Sequence, residues 1–251
     1  MDYKVEISAC IVLYNEPIQE LEKTINSFLN IPLSKKLFLV DNSSKNNKNF
    51  NHPDIEYIFN SKNIGFAKAN NQIIEKIDGY SKYHLVLNPD VVFNPEIISK
   101  LVSKLEKEKD LAMIAPKATY LDGSHQYTAR KYPSFFDLII RRTPFFSKRK
   151  KEQEYQLQDL SKPFYPDFIH GCFMLFNTKD FVQLKGFDKR YFLYMEDVDI
   201  CKKIDELEKK KLYYPLVKVQ HVKRKGSAKK IKLLFYHLSS AIKYFLKWGF
   251  S

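Results

Sequence analysis

Near its N-terminus the chain reads ISACIVLYNE over residues 7–16. The first seven of these residues are almost all apolar, which is typical of a buried β-strand, and the polar residues 14–16 end the run. Pro17 then opens a segment whose apolar residues, at positions 18, 21, 25, 28 and 29, are spaced three and four apart. That spacing predicts an amphipathic helix directly after the strand.

The same alternation of strand and helix continues through the first half of the chain. Strand-like runs occupy residues 37–40, 56–59 and 84–87, and helix-like periods occupy residues 67–77 and the segment after Pro95. This alternation predicts an α/β fold with a mostly parallel central sheet flanked by helices. Because ligands bind where the strands of such sheets end, Tyr14, Asp41 and Asp90 are the first site candidates.

The second half of the chain has a weaker pattern. Residues 130–168 lack clear periodicity and include the basic cluster 148–151, which is typical of a long loop that is functional or mobile. A strand is predicted over residues 172–176. A helix is predicted after residue 196, with apolar residues 198, 201, 204 and 207 on one face.

The charge of the chain is concentrated at its C-terminal end. The 251 residues carry 42 Lys and Arg against 29 Asp and Glu, a formal net charge of +13. Glu208 is the last acidic residue, and 12 of the basic residues follow it, so the first 208 residues are nearly neutral. This distribution disfavours a basic nucleic-acid-binding module, which is the non-enzyme alternative and which a salt-dependent gel shift would test.

The cysteines and the N-terminal segment favour a cytoplasmic protein. The apolar run over residues 7–14 is too short for a signal peptide or a membrane span. Cys10, Cys172 and Cys201 are odd in number and widely spaced, which fits reduced, packed thiols better than disulfides.

The glycines restrict the nucleotide chemistry. The chain has seven, and no two of them have the spacing of a dinucleotide-binding or P-loop motif. A diphosphate must therefore be neutralised by a metal ion on carboxylates or by basic side chains. Asp90, which follows a predicted strand, suits the first of these roles.

Six short motifs follow one another along the chain. They are residues 12–16 (VLYNE), 39–43 (LVDNS), 63–71 (NIGFAKANN), 87–90 (LNPD), 186–188 (GFD) and 196–199 (EDVD). In this order they resemble the motifs of inverting glycosyltransferases of family 2, closest to the bacterial rhamnosyltransferase-like branch. The resemblance covers roughly residues 7–248 and is much more specific than any single motif.

The resemblance implies a GT-A fold, in which a nucleotide-binding half is fused to an acceptor-binding half. We expect a single domain over residues 1–251. Residues 1–115 would bind the nucleotide sugar, residues 116–226 would bind the acceptor and carry the catalytic residue, and residues 227–251 would form a basic amphipathic helix.

It also implies roles for individual residues. The nucleotide-sugar site would contain Tyr14, Glu16, Asp41, Asn63, Gly65, Lys68, Asn70, Asn88 and Asp90. Tyr14 would lie beside the base, and Asp41 would accept a hydrogen bond from the base or the ribose. Asp90 would bind Mg²⁺ or Mn²⁺, with His221 as a further ligand. The usual metal motif of the family is Asp-x-Asp, and Asn88 at its first position removes one negative charge.

The implied reaction transfers a sugar, with inversion, from a nucleotide to a hydroxyl group of a lipid-linked glycan in bacterial cell-surface polysaccharide synthesis. Asp197 would be the general base, with Glu196 as the second choice. The expected donor is dTDP-L-rhamnose, and UDP-galactofuranose or another UDP-hexose is the alternative. A nucleotidyltransferase would need an N-terminal glycine-rich loop, but no glycine precedes Gly65. Intact Asp90 and Asp197 disfavour a non-catalytic relative.

Several of these residues also have a simpler structural explanation. Asp90 lies where turn residues are common. Glu196, Asp197 and Asp199 could cap the helix that they begin, and we expect Asp199 to be structural. A lone histidine such as His221 is more often a packed or surface group than a metal ligand.

The C-terminal segment has apolar residues at helical spacing. One predicted face contains Ile231, Leu234, Phe235, Leu238, Ile242, Phe245 and Leu246, and the other contains Lys229, Lys232, Lys243 and Lys247. We expect this helix to hold the protein on an anionic membrane surface, at the inner face of the cell membrane. Each Lys near such a surface can add about 1 kcal/mol of attraction. The alternative is a helix packed on its own domain.

Overall fold

The computed structural model describes residues 3–46, 49–140, 147–222 and 231–250. Its strands are β1 (Val5–Leu13), β2 (Lys35–Asp41), β3 (Ile55–Phe59), β4 (Ser81–Leu87), β5 (Val91–Phe93), β6 (Leu111–Thr119), β7 (His125–Gln126), β8 (Ala129–Arg130), β9 (Phe168–Ile169), β10 (Phe173–Asn177) and β11 (Lys210–His221). Its helices are α1 (Ile18–Leu29), α2 (Phe66–Asn71), α3 (Ile74–Ile77), α4 (Ile97–Lys107), α5 (Phe135–Ile140), α6 (Ser147–Gln153), α7 (Thr178–Gln183), α8 (Glu196–Glu206) and α9 (Ile231–Trp248).

One nine-stranded sheet forms the centre of the molecule, in the order β3-β2-β1-β4-β10-β6-β11-β5, with β7 paired to β6. The first four strands are mutually parallel. Beyond β4 the sheet is mixed, because β10 runs antiparallel to both β4 and β6. The predicted α/β class is confirmed, and the parallel pairing is concentrated in the N-terminal half and in the β6–β11 pair.

The sheet is buried on both faces, as expected for strands with helices on either side. Strand β1 directs Ile7, Ile11 and Leu13 into one hydrophobic cluster, together with the apolar faces of α1 and α4. Its Cys10 points into the opposite cluster, which contains the apolar residues of α2, α8 and α9. All three cysteines are free and buried, as their sequence pattern predicts.

The strand register brings the predicted polar ends together. Leu13 of β1 lies opposite Asp41 of β2, and Ile11 lies opposite Leu87 of β4. The residues that follow β1, β2 and β4 therefore share one edge of the sheet.

Two segments differ from the sequence-based expectation. The predicted helix over residues 67–77 is divided into α2 and α3, and the side chain of Asn71 at the break bonds both backbone groups of Phe187. The segment 130–168 contains α5 and α6, which are joined by a hydrogen bond from Arg149 to Asp137. This contact joins side chains 12 residues apart, so the helical periodicity of the sequence gives no sign of it.

Candidate functional site

Two adjoining cavities open at the carboxyl edge of the sheet and share Phe66, Asn88 and Leu193. The first has a volume of about 300 Å³ and the second about 340 Å³. The first is lined by Val12, Tyr14, Glu16, Asn42, Asn63, Gly65, Phe66, Asn88, Pro89, Asp90, Phe192 and Leu193. Apart from Phe66 and Asn88, the second is lined by residues of the C-terminal half, and Glu196, Asp197 and His221 are among them.

The loop after β1 forms one wall of the first cavity. Asn15 has a positive φ of 60°, and its backbone N–H donates to the hydroxyl of Ser43 at 2.9 Å. The carboxylate of Glu16 accepts from the backbone N–H of Tyr14, so the chain turns back on itself. This turn leaves the Tyr14 ring about half exposed, where it is free to pack on a planar ligand.

Asp41 lies behind the cavity rather than in its wall. It is fully buried, and its carboxylate accepts from the Ser43 backbone N–H and the Tyr57 hydroxyl, both at 2.8 Å. The residue that lines the cavity is its neighbour Asn42, whose Oδ1 accepts from the side chain of Asn60 at 2.9 Å. In this arrangement Asp41 holds the loop, and Asn42 lines the cavity while its Nδ2 donates to Asn63 Oδ1 and to the Gly65 carbonyl, both at 3.4 Å.

Gly65 lets the two halves of the chain come close together. Its φ is 90° and its ψ is 161°, a region that is essentially restricted to glycine. A Cβ atom at this position would lie 2.6 Å from the carbonyl oxygen of Phe192. Asn63 fixes the same turn, because its Oδ1 accepts from the Gly65 N–H at 2.9 Å.

Two residues of the 63–71 motif do not line either cavity. Lys68 is exposed on α2. Asn70 is fully buried, and its side-chain amide donates to the Phe66 carbonyl at 3.1 Å, so in this structure it supports the helix that carries Phe66.

Asp90 and His221 come together although 131 residues separate them in the chain. Strands β5 and β11 pair so that His221 lies opposite Val91, and His221 Nε2 is 3.3 Å from Asp90 Oδ1. Gln126 orients the imidazole: its Nε2 donates to the His221 carbonyl at 2.7 Å, and its Oε1 lies 2.9 Å from His221 Nδ1. Because a carbonyl oxygen can only accept, the Gln126 amide has one orientation, and Nδ1 of His221 must carry a proton.

This orientation suits a divalent cation. With its proton on Nδ1, a neutral His221 directs the lone pair of Nε2 towards the Asp90 carboxylate, where two acceptors would face each other. Burial lowers the pKa of His221, but Asp90 and Cys172 outweigh it and raise the pKa to about 10, so without an ion Nε2 also carries a proton, which a bound cation would replace. The described residues contain no group of three or more acidic, His or Cys side chains placed to hold a metal. An ion here would complete its shell with phosphate and water oxygens, as Mg²⁺ commonly does.

The second cavity contains the acidic residues at the start of α8. Tyr194 and Met195 both have left-handed backbone conformations, with φ of 71° and 68°, and such strain is concentrated at functional sites. This bend places Asp197 in the cavity wall, where its Oδ2 is 3.2 Å from both His170 Nδ1 and the Gly171 N–H. Its Oδ1 accepts from the Val198 N–H at 2.9 Å.

The two acidic neighbours have opposite electrostatic tendencies. Burial raises the pKa of Asp197, but the hydrogen bonds from His170, Gly171 and Val198 outweigh it and hold the pKa below its usual value. Burial and the nearby Asp197 charge raise the pKa of Glu196, whose Oε2 has no hydrogen-bond partner among the described residues. Asp197 is therefore the ionised member of the pair, and it is the one that can accept a proton at neutral pH.

Asp199 has a structural role, as expected. It is fully buried, and its Oδ1 accepts from Lys247 Nζ at 2.7 Å, Trp248 Nε1 at 2.8 Å and the Tyr191 hydroxyl at 3.2 Å. These bonds fix the end of α9 against α8.

The C-terminal helix is packed on the domain and also has an exposed apolar face. Ser240, Ala241, Tyr244 and Phe245 are buried, and the Ser240 hydroxyl donates to the Leu193 carbonyl at 2.9 Å. The exposed stripe consists of Ile231, Phe235, Leu238, Ile242 and Leu246, each more than half exposed. Phe245 and Lys247 therefore do not lie on the predicted faces, because both turn towards the domain. Lys229 lies outside the described residues. No helix of the described part of the chain combines the length and apolarity that a membrane span needs.

The structure adds three site residues that the sequence did not indicate. Asn42 is adjacent to Asp41 in one of the six motifs, and the sequence did not indicate which of these two residues lines the cavity. Gln126 and His170 lie in segments without a motif, 95 and 27 residues from their partners, and they are recognised only by contact.

Comparison with known proteins gives a consistent result. Residues 8–183 match the family model of glycosyl transferase family 2. The chain is 28% identical over 167 residues to the rhamnosyltransferase WbbL of Escherichia coli K12, a match that covers 64% of this chain and 61% of that protein. It is 26% identical over 184 residues to the N-acetylglucosaminyl-diphospho-decaprenol L-rhamnosyltransferase of Mycobacterium tuberculosis H37Rv, with coverage of 68% and 60%. The matched region thus spans about three fifths of the length of these curated relatives.

Solved structures share the fold at low sequence identity. GalNAc-T7 with UDP, GalNAc and Mn²⁺ superposes with a TM-score of 0.64 at 16% identity, over 90% of this chain and 45% of that one. The mannosyltransferase PcManGT of Pyrobaculum calidifontis, in complex with GDP-Man and Mn²⁺, gives a TM-score of 0.61 at 16% identity, over 96% and 65%.

Proposed function

Because the chain belongs to glycosyl transferase family 2 and has the GT-A fold, we propose that it transfers a sugar from a nucleotide sugar to an acceptor hydroxyl, with inversion. The observation that carries this proposal is the pair of joined cavities. One holds Asp90 in a nucleotide-sized space, and the other holds the ionised Asp197.

The donor lies in the first cavity. Tyr14 packs on the base, Asn42 and Asn63 offer amide groups to the nucleoside, and the Gly65 backbone borders the space for the phosphates. Asp41 acts from behind by holding this loop, and Glu16 holds the Tyr14 turn. Lys68, at the exposed surface of α2, and the buried Asn70 contribute through the position of α2.

Asp90 and His221 would hold Mg²⁺ or Mn²⁺, and Asn88, which lines both cavities, offers a neutral oxygen nearby. The fit rests on the fixed Nδ1–H of His221, which leaves Nε2 and Asp90 Oδ1 aimed at one position. Bound there, the ion would neutralise charge on the departing diphosphate.

The acceptor lies in the second cavity, beside Asp197. Its hydroxyl oxygen forms a bond to the anomeric carbon as the bond from that carbon to the diphosphate oxygen breaks. The hydroxyl proton passes to Asp197, and the nucleoside diphosphate leaves from the opposite face, so the configuration is inverted. Positioned base catalysis of this kind contributes about 10²- to 10⁴-fold.

The proposed donor is dTDP-L-rhamnose, with UDP-galactofuranose or another UDP-hexose as the alternative. Two relatives carry names of rhamnosyltransferases, and one of these names specifies a diphospho-lipid acceptor. We therefore propose a lipid-linked glycan as the acceptor, in the synthesis of a bacterial surface polysaccharide.

A panel of dTDP-, UDP- and GDP-sugars tests this function through release of nucleoside diphosphate with Mn²⁺ present. One donor should be turned over, and dTDP-L-rhamnose is expected. Asp197→Asn should lose at least about 100-fold in kcat while the KM for the donor changes little, because the base does not hold the nucleotide. Near-normal turnover by this variant would transfer the role to Glu196, and use of a UDP-sugar alone would exclude rhamnose.

We also propose that the protein binds the inner face of the cell membrane through α9. Phe250, after the end of α9, is also exposed, and Phe135 of α5 contacts the Phe250 ring at 6.0 Å between centroids. One basic side chain lies beside α5, since Arg149 of α6 bonds Asp137 and packs over the Phe136 ring. An apolar stripe on a helix that also carries Lys232 and Lys243 matches a membrane that contains anionic lipids. The opposite face of α9 bonds Leu193, which lines both cavities, so the membrane would lie close to the acceptor site.

Liposome co-sedimentation tests the membrane proposal. Binding should require anionic lipid, weaken with salt, and be lost when Phe235 and Ile242 are both changed to Glu. Leu157→Glu with Leu216→Glu is the matched control, because these residues are 66% and 63% exposed but lie elsewhere in the fold. Equal sedimentation of the stripe variant and the control, or no binding by the wild type, would contradict the proposal.

A further inference from the structure

His170 is held rigidly at the wall of the second cavity. It follows β9, and its backbone N–H donates to the Thr128 carbonyl at 3.0 Å. Its ring packs edge-on against Phe168, with 5.5 Å between the centroids. The side chain is 37% exposed, so one edge of the imidazole faces the cavity and the other meets Asp197.

The contact with Asp197 defines the protonation of the ring. Asp197 Oδ2 already accepts from the Gly171 N–H, and an ionised carboxylate can only accept. The His170 Nδ1 atom, 3.2 Å away, must therefore carry a proton and donate it. The other oxygen, Oδ1, accepts from the Val198 N–H. Three donors, two on Oδ2 and one on Oδ1, therefore fix the plane of the Asp197 carboxylate.

We propose that His170 is a positioning residue for the transfer reaction, which holds the Asp197 carboxylate in the orientation that accepts the acceptor proton. The inference rests on the proposed function, since it assigns a supporting residue to the same base. Without His170, Oδ2 would retain only the backbone donor, and the carboxylate could rotate. A displacement of about 1 Å at a reacting group can cost about 10²-fold in rate.

His170 also affects the pH range in which the base works. Its hydrogen bond lowers the pKa of Asp197, so the base becomes protonated, and activity falls, only at low pH. Loss of that bond should raise the pKa and move the acidic limb to higher pH. The other titratable groups that line this cavity, or that act on the Asp197 charge, are Tyr120, Tyr127, Arg130, Cys172, Tyr194, Glu196, Cys201 and His221.

Three substitutions of His170 test whether the donor that matters lies at the position of Nδ1 or of Nε2. The amide of Asn places a donor close to the position of Nδ1, whereas the amide of Gln places one close to Nε2. We expect His170→Asn to keep kcat/KM for the acceptor within about tenfold of the wild type. His170→Gln and His170→Ala should lose about 10- to 100-fold, with the acidic limb of the pH profile moved to higher pH. The KM for the donor should stay constant, because His170 does not line the first cavity.

Equal kcat/KM and an unmoved acidic limb in all three variants would overturn the inference. So would equal losses in His170→Asn and His170→Ala, because a purely structural role would not distinguish them. A ¹⁵N spectrum of the imidazole gives a readout that needs no activity. It should show the proton on Nδ1 in the wild type and on Nε2 in Asp197→Ala. If the wild type transfers no sugar, the proposed function fails. A wild-type imidazole with no proton on Nδ1 would overturn the contact with Asp197 independently.

Discussion

Gly65→Ala is the substitution whose effect follows most directly from the geometry. Residue 65 has a φ of 90° and a ψ of 161°, and it lies against the segment that walls both cavities. The new methyl group would be 2.6 Å from the Phe192 carbonyl oxygen and 2.9 Å from its Cδ2 atom. The same carbonyl accepts from the Phe66 N–H at 2.9 Å, so it cannot move without weakening that bond.

The expected cost has two parts. The backbone conformation itself costs an alanine about 1–3 kcal/mol. Relief of the contact, from 2.6 Å to an ordinary 3.4 Å, moves Phe192 by about 0.8 Å, and such overpacking costs about 1–3 kcal/mol more. We therefore expect Gly65→Ala to lower the free energy of unfolding by about 2–6 kcal/mol, and the melting temperature by about 2–4 °C per kcal/mol.

Gly79→Ala is the matched control. Gly79 also has a positive φ, 65°, but a Cβ atom there would meet nothing within 4 Å. Gly79→Ala should therefore lower the free energy of unfolding only by the cost of the backbone conformation, about 1–2 kcal/mol, and leave kcat/KM unchanged.

Urea unfolding and donor kinetics measured on both variants give the test. Gly65→Ala should lose about 10²-fold in kcat/KM for the donor, because Phe192 lines the donor cavity. If Gly65→Ala is no less stable than Gly79→Ala and turns over normally, the close approach of Phe192 is not required.

Three further results are expected. Activity should vanish in EDTA and return when Mn²⁺ or Mg²⁺ is added. Asp90→Ala should remain inactive at any Mn²⁺ concentration. Full activity in the chelator would refute the metal role. Gln126→Leu should weaken Mn²⁺ binding about 10- to 100-fold in titration calorimetry, because the orientation of His221 is lost. Asp199→Ala should lower the free energy of unfolding by about 3 kcal/mol in urea, since the Lys247 and Trp248 donors lose a buried acceptor, and an unchanged midpoint would contradict this.

Local pattern was sufficient for the elements of the N-terminal half. The apolar run of β1 and the spacing of α1 are local properties, so both elements were predicted to within two residues at each end. The position of Asp90 after a strand followed from the same reasoning, because parallel strands end at one edge of a sheet. The order of the motifs also determined the family, which the family model confirms.

The tertiary structure decided which of two neighbouring residues lines a cavity and which is buried behind it. Sequence reasoning placed Asp41 at the nucleotide, which stays a prediction; in the structure Asp41 is buried behind the first cavity, and its neighbour Asn42 lines that cavity. Similarly, helical spacing grouped Phe245 with the exposed stripe of α9. In the structure Phe245 is buried, because one wide apolar face is divided between the domain and the surface.

What the sequence by itself determined is the set of chemical groups, the strands and helices that carry them, and the family. The tertiary structure alone decided how those groups are oriented. The Asp90–His221 pair is oriented by Gln126, and Asp197 is oriented by His170. Neither Gln126 nor His170 belongs to a motif, since a hydrogen bond requires only one donor of the right geometry and many sequence positions could supply it. Secondary structure follows from local periodicity, whereas such contacts exist only once distant segments have packed.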